Sequence, residues 1–259
     1  MQIELIGCTS AGKSTLAGSI LQACREQELE ISLGEDFVLE QFRLNWIKSH
    51  LLRRFLVNLV ALLASLVTWR NHRQFYLFAT QLLFQLPIPR LERVALLRNV
   101  LKKIGIYEII RFYSTSQQII LVDEGVLQAA HNLFVHVSVE VKREHLSTFA
   151  GLVPLSDVVV YLKQPEGLLI NRIMNRGHKR IPDRSHNKVD RFVKRAVATF
   201  DKLVQHPAVA SRLLVVDGGQ GAILATNHTR KQDDPTMDLA SKIIRSGLTA
   251  TTEDIMYVE

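Results

Sequence analysis

The sequence predicts a three-layer α/β fold built on a five-stranded parallel sheet, and three observations lead to this prediction. Short apolar runs rich in β-branched residues alternate with helical patterns along the chain, as they do in β-α-β units. A glycine-rich loop joins the first run to the first helical pattern. Several later runs end in carboxylate residues, at the sheet edge where open parallel sheets bind ligands.

The first unit is a strand, a loop and a helix. Residues 2–6 form an apolar run, and residues 13–25 place apolar side chains at helical spacing. Between them, GCTSAGKS matches the phosphate-binding pattern G-x-x-x-x-G-K-[ST] without a mismatch. In such a loop, backbone N–H groups and the helix N-terminus bind phosphate oxygens. The predicted nucleotide-binding residues are Gly7, Cys8, Thr9, Ser10, Ala11, Gly12, Lys13, Ser14 and Thr15.

Three side chains of this loop have predicted roles. Lys13 reaches the β- and γ-phosphates, Ser14 supplies a hydroxyl to Mg²⁺, and Thr15 contacts the α-phosphate. Guanine specificity is disfavoured, because residues 162–165 read LKQP where a guanine-binding protein carries Asn-Lys-x-Asp. The implied cofactors are therefore ATP and Mg²⁺.

Four further strands and their crossover helices complete the predicted fold. The strands are 30–33, 118–122, 157–162 and 213–217, and the last is followed by a helical pattern at 239–248. Residues 133–141 alternate with a period of two, yet the topology requires a crossover helix there, so we predict a helix. Residues 219–236 are predicted to be a polar surface loop and 251–259 a loose tail.

Length and composition favour one elaborated domain over residues 1–250 of the 259-residue chain. Residues 38–117 form a predicted helical insertion, divided at Pro87 and Pro89. The net charge of +7 suits an acidic ligand. Two cysteines and an N-terminus that enters the first strand directly predict a reducing cytoplasm and no export signal.

Carboxylates at two strand ends are the candidate chemical groups. Asp123 ends a buried strand, so we expect it to hold Mg²⁺ beside Ser14, with Glu124 as a further candidate metal ligand. Glu35 and Asp36 follow the second strand, and the residues alone do not choose between them.

A basic segment over about 171–186 is the predicted lid. Arg172 and Arg176 are four residues apart and share a helical face, Arg180 follows, and Gly177 offers a hinge. Arginines in a closing lid can bind the charge that spreads over a transferring phosphoryl group. A solvated helix end is the alternative.

Several segments resemble the nucleoside and nucleotide kinases among the P-loop proteins, with the thymidylate and deoxynucleoside kinases nearest. These segments are GCTSAGKS at 7–14, ILVDEG at 120–125, DVVVYL at 157–162, NRIMNRG at 171–177 and the stretch 190–200. The resemblance implies the sheet order 2-3-1-4-5, a substrate-binding insertion after the second strand and an arginine lid after the fourth. It also implies that Glu35 or Asp36 faces the phosphoryl acceptor, with adenine near Arg172 and Gly218.

The chain departs from this group after its third strand. Those kinases usually carry Arg after the acidic residue, whereas this chain has Asp123, Glu124 and Gly125, with Gln128 as the nearest polar replacement. The chain is also similar to P-loop proteins of bacterial surface-polysaccharide clusters.

Two functions are consistent with these residues. The first is an ATP-dependent small-molecule kinase, in which Lys13, Arg172, Arg176 and Arg180 stabilise the transferred group. The second is an ATPase or nucleotide switch that acts on a protein partner or at a membrane, with Glu124 polarising water. Nucleic-acid binding is not expected, since the basic residues lack interleaved aromatics. The histidines lack the spacing of a zinc site.

The uncharged stretch 55–69 has three interpretations. At about fifteen residues it is short for a membrane span, and arginines flank it at both ends. It is predicted as a helix buried in the insertion, with a peripheral membrane contact through 53–73 or a homodimer interface as the alternatives.

Overall fold

The computed structural model describes residues 1–136 and 143–218. Its centre is a parallel sheet with the strand order β2-β3-β1-β4-β5, which confirms the predicted order. The strands are β1 (Gln2–Ile6), β2 (Ile31–Leu33), β3 (Ile119–Val122), β4 (Val158–Lys163) and β5 (Leu213–Asp217). Each neighbouring pair runs parallel, so the carboxyl ends of all five strands lie at one edge.

Helices connect the strands and include the insertion between β2 and β3. They are α1 (Lys13–Glu26), α2 (Gly34–Gln41), α3 (His50–Val67), α4 (Arg73–Gln85), α5 (Arg90–Tyr113), α6 (Ala129–Phe134), α7 (Arg143–Leu152), α8 (Glu166–Arg176), α9 (His186–Leu203) and α10 (Pro207–Ala210). Pro89 is the residue before α5, where its fixed φ suits a helix start and its missing N–H costs no helical bond. The insertion thus consists of α2 to α5 and begins at Gly34.

The helix predicted over 133–141 ends at Phe134, and Val135 has an extended backbone. The Val135 carbonyl oxygen accepts a hydrogen bond from Arg180 Nη1 at 2.7 Å. The His136 carbonyl oxygen accepts a hydrogen bond from Arg195 Nη1 at 2.6 Å. Because side-chain donors bind these carbonyls, the helical hydrogen-bond pattern stops. The rest of that prediction lies outside the described residues, as do those for 219–236, 239–248 and 251–259.

Both faces of the sheet are buried under helices, which makes three layers. Ile3 and Leu5 of β1 belong to the apolar cluster formed with α1, α8 and α9, whereas Ile6 belongs to the cluster formed with α4 to α7. This alternation follows from the two-residue period of a strand. Glu4 therefore points to the same face as Ile6, and it is completely buried.

The insertion is attached to the sheet through α2 and α5. Phe37 and Val38 of α2 and Ile109 of α5 pack with Ile120 and Val122 of β3 in a third apolar cluster. Helix α3 lies on the outer side of α5, where Ala61 contacts Gly105 so closely that an added Cβ would overlap the Ala61 carbonyl oxygen. Contact between these helices therefore depends on the absence of a side chain at residue 105.

We expect Gly105→Ala to lower the free energy of unfolding by about 1–3 kcal/mol or more, because the new methyl group meets backbone that cannot rotate away. Urea unfolding followed by circular dichroism measures this change. Gly18→Ala is the matched control: no heavy atom lies within 4 Å of the new methyl group, so this helical glycine should gain up to about 1 kcal/mol. Equal effects of the two substitutions would contradict the packing described.

Candidate active site

The phosphate-binding loop has the backbone that its glycines predict. Gly7 has φ of 145° and Gly12 has φ of 103°, values that side chains disfavour. An added Cβ at Gly7 would lie 2.7 Å from the Leu162 carbonyl oxygen, so glycine is also required by the closeness of β4. Ser10, with φ of 65°, has a buried hydroxyl without a hydrogen-bond partner among the described residues. Such a donor is available to a phosphate oxygen.

Gln128 holds this loop from the side. Its Oε1 accepts the Gly7 N–H at 3.0 Å, and its Nε2 donates to the Gly7 carbonyl oxygen at 3.0 Å. Both halves of the amide are thus bonded to the backbone of one residue, Gly7. Gln128 was the nearest polar replacement for the missing arginine by sequence, but its contacts are those of a residue that positions the loop.

Lys13 begins α1, and its side chain is buried beneath the loop. Its Nζ donates to the carbonyl oxygens of Gly7 at 3.3 Å and Cys8 at 3.2 Å. Burial lowers the pKa of Lys13, and the carboxylates of Glu124 and Asp123 partly oppose that shift. Both contacts are long and are made to neutral oxygens. A phosphate oxygen, which is charged, would form a shorter and stronger hydrogen bond with this ammonium.

Ser14 and Asp123 meet at the mouth of the loop. Ser14 Oγ donates to Asp123 Oδ2 at 2.7 Å, whereas Asp123 Oδ1 is buried without a partner among the described residues. A hydroxyl beside a carboxylate oxygen that lacks a partner is a fitting donor set for Mg²⁺, whose remaining ligands would be water and phosphate oxygens. Glu124 is the third predicted metal residue; its side chain is 66% exposed and its Oε2 lies 3.9 Å from Lys103 Nζ.

Lys103 of α5 was missed by the sequence analysis. Its buried ammonium donates to the carbonyl oxygens of Glu124 at 2.8 Å and Gly125 at 3.1 Å. Burial lowers the pKa of Lys103, while Glu124 and Glu4 oppose the shift. The insertion thus supplies a cation to the loop after β3, where the sequence resemblance led us to expect an arginine, although this cation comes from a different element.

Glu4 lies under the same loop and was also missed. Its carboxyl group accepts the Gln128 N–H at 2.9 Å and the Ser156 hydroxyl at 3.2 Å, and it touches Gly125, where no Cβ would fit. Burial raises the pKa of Glu4 to about 7, although Lys103 and these hydrogen bonds act in the opposite direction. A buried carboxyl and a buried ammonium therefore hold residues 124–128 from two sides.

A large cavity of about 1390 Å³ lies over the phosphate-binding loop. Its walls include the residues from Thr9 to Thr15, and Asp123 and Glu124 close one end. The predicted arginines Arg172, Arg176 and Arg180 all line it. The structure thus brings the predicted donor-side residues together around one space.

The three arginines are held differently. Arg172 Nη1 donates to the carbonyl oxygens of Ser10 at 3.1 Å and Ala11 at 3.4 Å, which ties α8 to the phosphate-binding loop. Arg180 Nη1 donates to Val135, as described above, and Arg176 is in the last turn of α8. The predicted lid therefore contains the end of α8, the connection 177–185 and the start of α9.

Two further buried side chains, those of His131 and Cys8, lie at the phosphate-binding loop. His131 Nε2 lies 3.3 Å from Thr9 Oγ1, and burial together with the Lys13 ammonium lowers the pKa of His131 well below its ordinary value. The Cys8 thiol is in the apolar core, where burial raises its pKa to about 12. Cys8 thus offers its backbone to a phosphate, as the motif predicts.

A second cavity of about 400 Å³ adjoins the first and contains both predicted acceptor-side carboxylates. Glu35 accepts a bond from Lys102 Nζ at 2.7 Å, and Asp36 accepts one from Arg53 Nη2 at 2.7 Å. Both carboxylates start α2 and are about half exposed. Asp123 and Glu124 line this cavity as well as the larger one.

No protein-family model matches the chain, and no curated protein matches its sequence. Structural comparison finds deoxyadenosine kinase from M. mycoides with bound dATP, at 14% identity and a TM-score of 0.48, covering 95% of this chain and 100% of that one. The structure of the same enzyme with bound dCTP has 14% sequence identity and a TM-score of 0.45. The structure with the products dCMP and dCDP has 15% identity and a TM-score of 0.45, and both comparisons have the same coverage.

These structures are of the group that the sequence motifs resemble, the deoxynucleoside kinases. At this identity, and with TM-scores below 0.5, they are likenesses only. The function proposed below rests on the site of this chain.

Glu4 predicts a pH dependence of stability. Its pKa is about 7 when folded and about 4.5 when unfolded, so between these values the folded state holds a proton that the unfolded state has lost. This proton contributes on the order of 3 kcal/mol to the free energy of unfolding. The contribution is complete below about pH 4.5 and is lost as pH rises through 7.

Urea unfolding at several pH values from 4 to 8 tests this, with Glu4→Gln as the variant that cannot titrate. The difference between the unfolding free energies of wild type and variant should fall as pH rises through the window. Glu166→Gln, a change in the first turn of α8, should leave the wild-type slope in place. A slope that survives in Glu4→Gln would assign the effect to another group.

Proposed function

We propose that this protein is an ATP-dependent phosphotransferase that moves the γ-phosphoryl group of Mg·ATP to a hydroxyl or phosphate of a small acceptor, nucleoside- or nucleotide-like by resemblance. One observation carries the proposal: the phosphate-loop cavity and the cavity beside Glu35 and Asp36 share the walls Asp123 and Glu124. An enzyme that transfers a group between two bound molecules needs two such adjoining spaces.

On the donor side, the loop N–H groups and Lys13 bind the β- and γ-phosphates. Ser14 and Asp123 would hold Mg²⁺, which when bound neutralises charge on the bridging phosphates. Arg176 and Arg180 line the same cavity as the loop, so they can bind the equatorial oxygens of the transferring group. Arg172 orients the loop through its two carbonyl contacts.

On the acceptor side, Glu35 or Asp36 accepts the proton of the acceptor hydroxyl. The acceptor oxygen then bonds to the γ-phosphorus, the bond from that phosphorus to the β,γ-bridging oxygen breaks, and ADP leaves. Lys102 and Arg53 fix the two carboxylates in place. Each cation bonds one oxygen of its carboxylate, Oε1 of Glu35 and Oδ1 of Asp36, so the other oxygen can accept a hydrogen bond from the acceptor hydroxyl.

A nucleotide-dependent ATPase or switch is the second candidate, favoured by one residue. Glu124 is next to Asp123, is mostly exposed and faces both cavities, so it can orient a water molecule toward the γ-phosphate. Such a protein hydrolyses ATP without an acceptor and acts on a protein partner or at a membrane. For either function we propose a reducing cytoplasm, in keeping with two buried free cysteines.

The deciding experiment measures Mg·ATP consumption by the purified protein, alone and with nucleosides, nucleoside monophosphates, sugars and lipid-linked alcohols. Turnover that requires one acceptor class supports the kinase, whereas slow hydrolysis without an acceptor supports the ATPase; Lys13→Ala abolishes either. Glu35→Gln and Asp36→Asn then identify the acceptor-side carboxylate, since only the variant of that residue loses acceptor-dependent turnover.

We expect Asp123→Asn to lower kcat/KM on the order of 100-fold or more and to raise the Mg²⁺ concentration that gives half-maximal rate, because an amide is a poorer Mg²⁺ ligand than a carboxylate. A magnesium titration of the steady-state rate measures both effects. Asp190→Asn on α9 is the control and should leave the titration unchanged. An Asp123→Asn variant with the wild-type magnesium requirement would remove this residue from the metal site.

We expect Arg176→Gln to lower kcat by about 10- to 1000-fold without changing thermal stability, since Arg176 faces the cavity in the last turn of α8. Arg191→Gln, on the exposed side of α9, removes the same charge outside the cavity and should leave kcat unchanged. Steady-state rates and melting curves of both variants are compared. A parallel loss of activity in both would point to net charge rather than to the lid.

A further inference from the structure

Basic charge is concentrated in one segment of the insertion. Residues 41–91 contain seven lysines and arginines and no aspartate or glutamate. The whole formal net charge of +7 therefore arises there, because the remaining 25 basic residues are balanced by the 25 acidic residues of the chain. A local excess of this kind creates a positive field that acts on anionic partners.

The same segment carries an exposed apolar stripe on α3. Its members are 43–61% exposed and follow one another at intervals of three or four residues: Leu52, Phe55, Leu59, Leu63 and Leu66. This spacing places them on one side of the helix, which we call the outer stripe. Soluble monomers rarely expose a contiguous apolar surface of this kind, so it marks a docking surface.

The opposite side of α3 packs against the rest of the protein. Val57, Ala61 and Ser65 are buried against the neighbouring helices, and Ala61 touches Gly105 of α5. Among the described residues, α3 is the one helix long and apolar enough to cross a bilayer, yet one of its faces is in contact with α5. A helix with one face on protein and one apolar face outward is suited to lie along a surface.

The ends of α3 carry the groups found at a membrane interface. Lys48 and Arg70 are exposed four residues before and four residues after the stripe, and Trp46 and Trp69 are 75% and 37% exposed. Trp69 stacks on Tyr76 at a centroid distance of 4.4 Å, which holds its ring at the helix end. Tryptophan rings favour the head-group region, and lysines and arginines bind anionic lipid phosphates there.

We propose that the outer stripe of α3 docks on an anionic lipid bilayer, with the helix in the plane of the interface and Lys48 and Arg70 on the head groups. The segment is complementary in charge to such a surface, and its apolar side chains reach the acyl boundary. Membrane attachment is independent of the phosphotransfer proposed above, because the outer stripe contains no residue of either cavity.

A second copy of this chain is a less favourable partner for the outer stripe than an anionic bilayer. A two-fold axis that pairs two α3 helices antiparallel about the middle of the stripe brings Lys48 of one copy to Arg70 of the other, and a parallel pairing brings each of these residues to its own counterpart. Residues 41–91 offer no carboxylate to balance either arrangement. Like charges in apposition oppose association, whereas an anionic bilayer attracts them.

The test is flotation of the full chain with vesicles of phosphatidylcholine alone and of phosphatidylcholine with 30% phosphatidylglycerol. We expect binding to the anionic vesicles that weakens with salt, and little binding to the neutral ones. Phe55→Gln with Leu63→Gln should lower partitioning at least 10-fold, and Lys48→Gln and Arg70→Gln should each lower it roughly five-fold, a factor that corresponds to about 1 kcal/mol per basic residue.

Matched controls separate the docking surface from general effects. Val215→Gln removes an exposed apolar residue of β5, at the opposite edge of the sheet, and Arg191→Gln removes a charge from α9; both should bind as wild type does. Melting curves establish that every variant is folded, and ATP turnover reports separately on the proposed function. Three results would overturn the proposal: no binding to anionic vesicles, unchanged binding of the Phe55 and Leu63 double variant, or a dimer by light scattering that this variant dissociates while vesicles stay unbound.

Discussion

The packing of β4 and of the Gln128 side chain against Gly7 is the constraint on which the rest of the site depends. Gly7 leaves β1 with a positive φ, its N–H and carbonyl groups are both bonded by the Gln128 amide, and the Leu162 carbonyl of β4 occupies the space of a side chain. The loop after β3 and the end of β4 therefore determine where the phosphate-binding loop begins. A loop fixed in this way has its N–H groups already oriented before phosphate binds, which reduces the entropy lost on binding.

The metal side depends on a second arrangement, beneath residues 123–128. Glu4 of the central strand bonds the Gln128 N–H, and Lys103 of the insertion bonds the carbonyls of Glu124 and Gly125. These contacts fix the segment that carries Asp123, whose carboxylate then meets Ser14. Burial disfavours the charged form of both groups, as the raised pKa of Glu4 and the lowered pKa of Lys103 show, and the hydrogen bonds to this loop act against that cost for Glu4.

The sequence predicted what short-range patterns encode. The five strands, their order and the helical insertion are confirmed, because apolar runs and the glycine motif are local signals. The predicted donor-side residues lie around one cavity, although their roles stay predictions. The apolar stretch 55–69, predicted as buried, instead exposes one side of a helix, since hydrophobicity alone does not reveal which faces find a partner.

Other residues of the site had no such signal. Glu4 is one polar residue within an apolar strand, and Lys103 is one of many basic residues in the insertion. Their importance comes from contacts across about 120 and 20 residues of chain, with Gln128 and Gly125 respectively, which no motif records. Likewise, the carbonyls of Val135 and His136 accept side-chain bonds from distant arginines, so the helix predicted there stops early.

Helix α5 connects the two surfaces of the insertion. Residues 103 and 105 are about 200° apart around a helix, so Lys103 and Gly105 point to nearly opposite sides. Lys103 donates hydrogen bonds to the loop that carries Asp123. Gly105 packs against the backbone of α3 at a distance that only glycine permits. One helix of the insertion therefore supplies both the packing surface for α3 and the cation that bonds the metal-side loop.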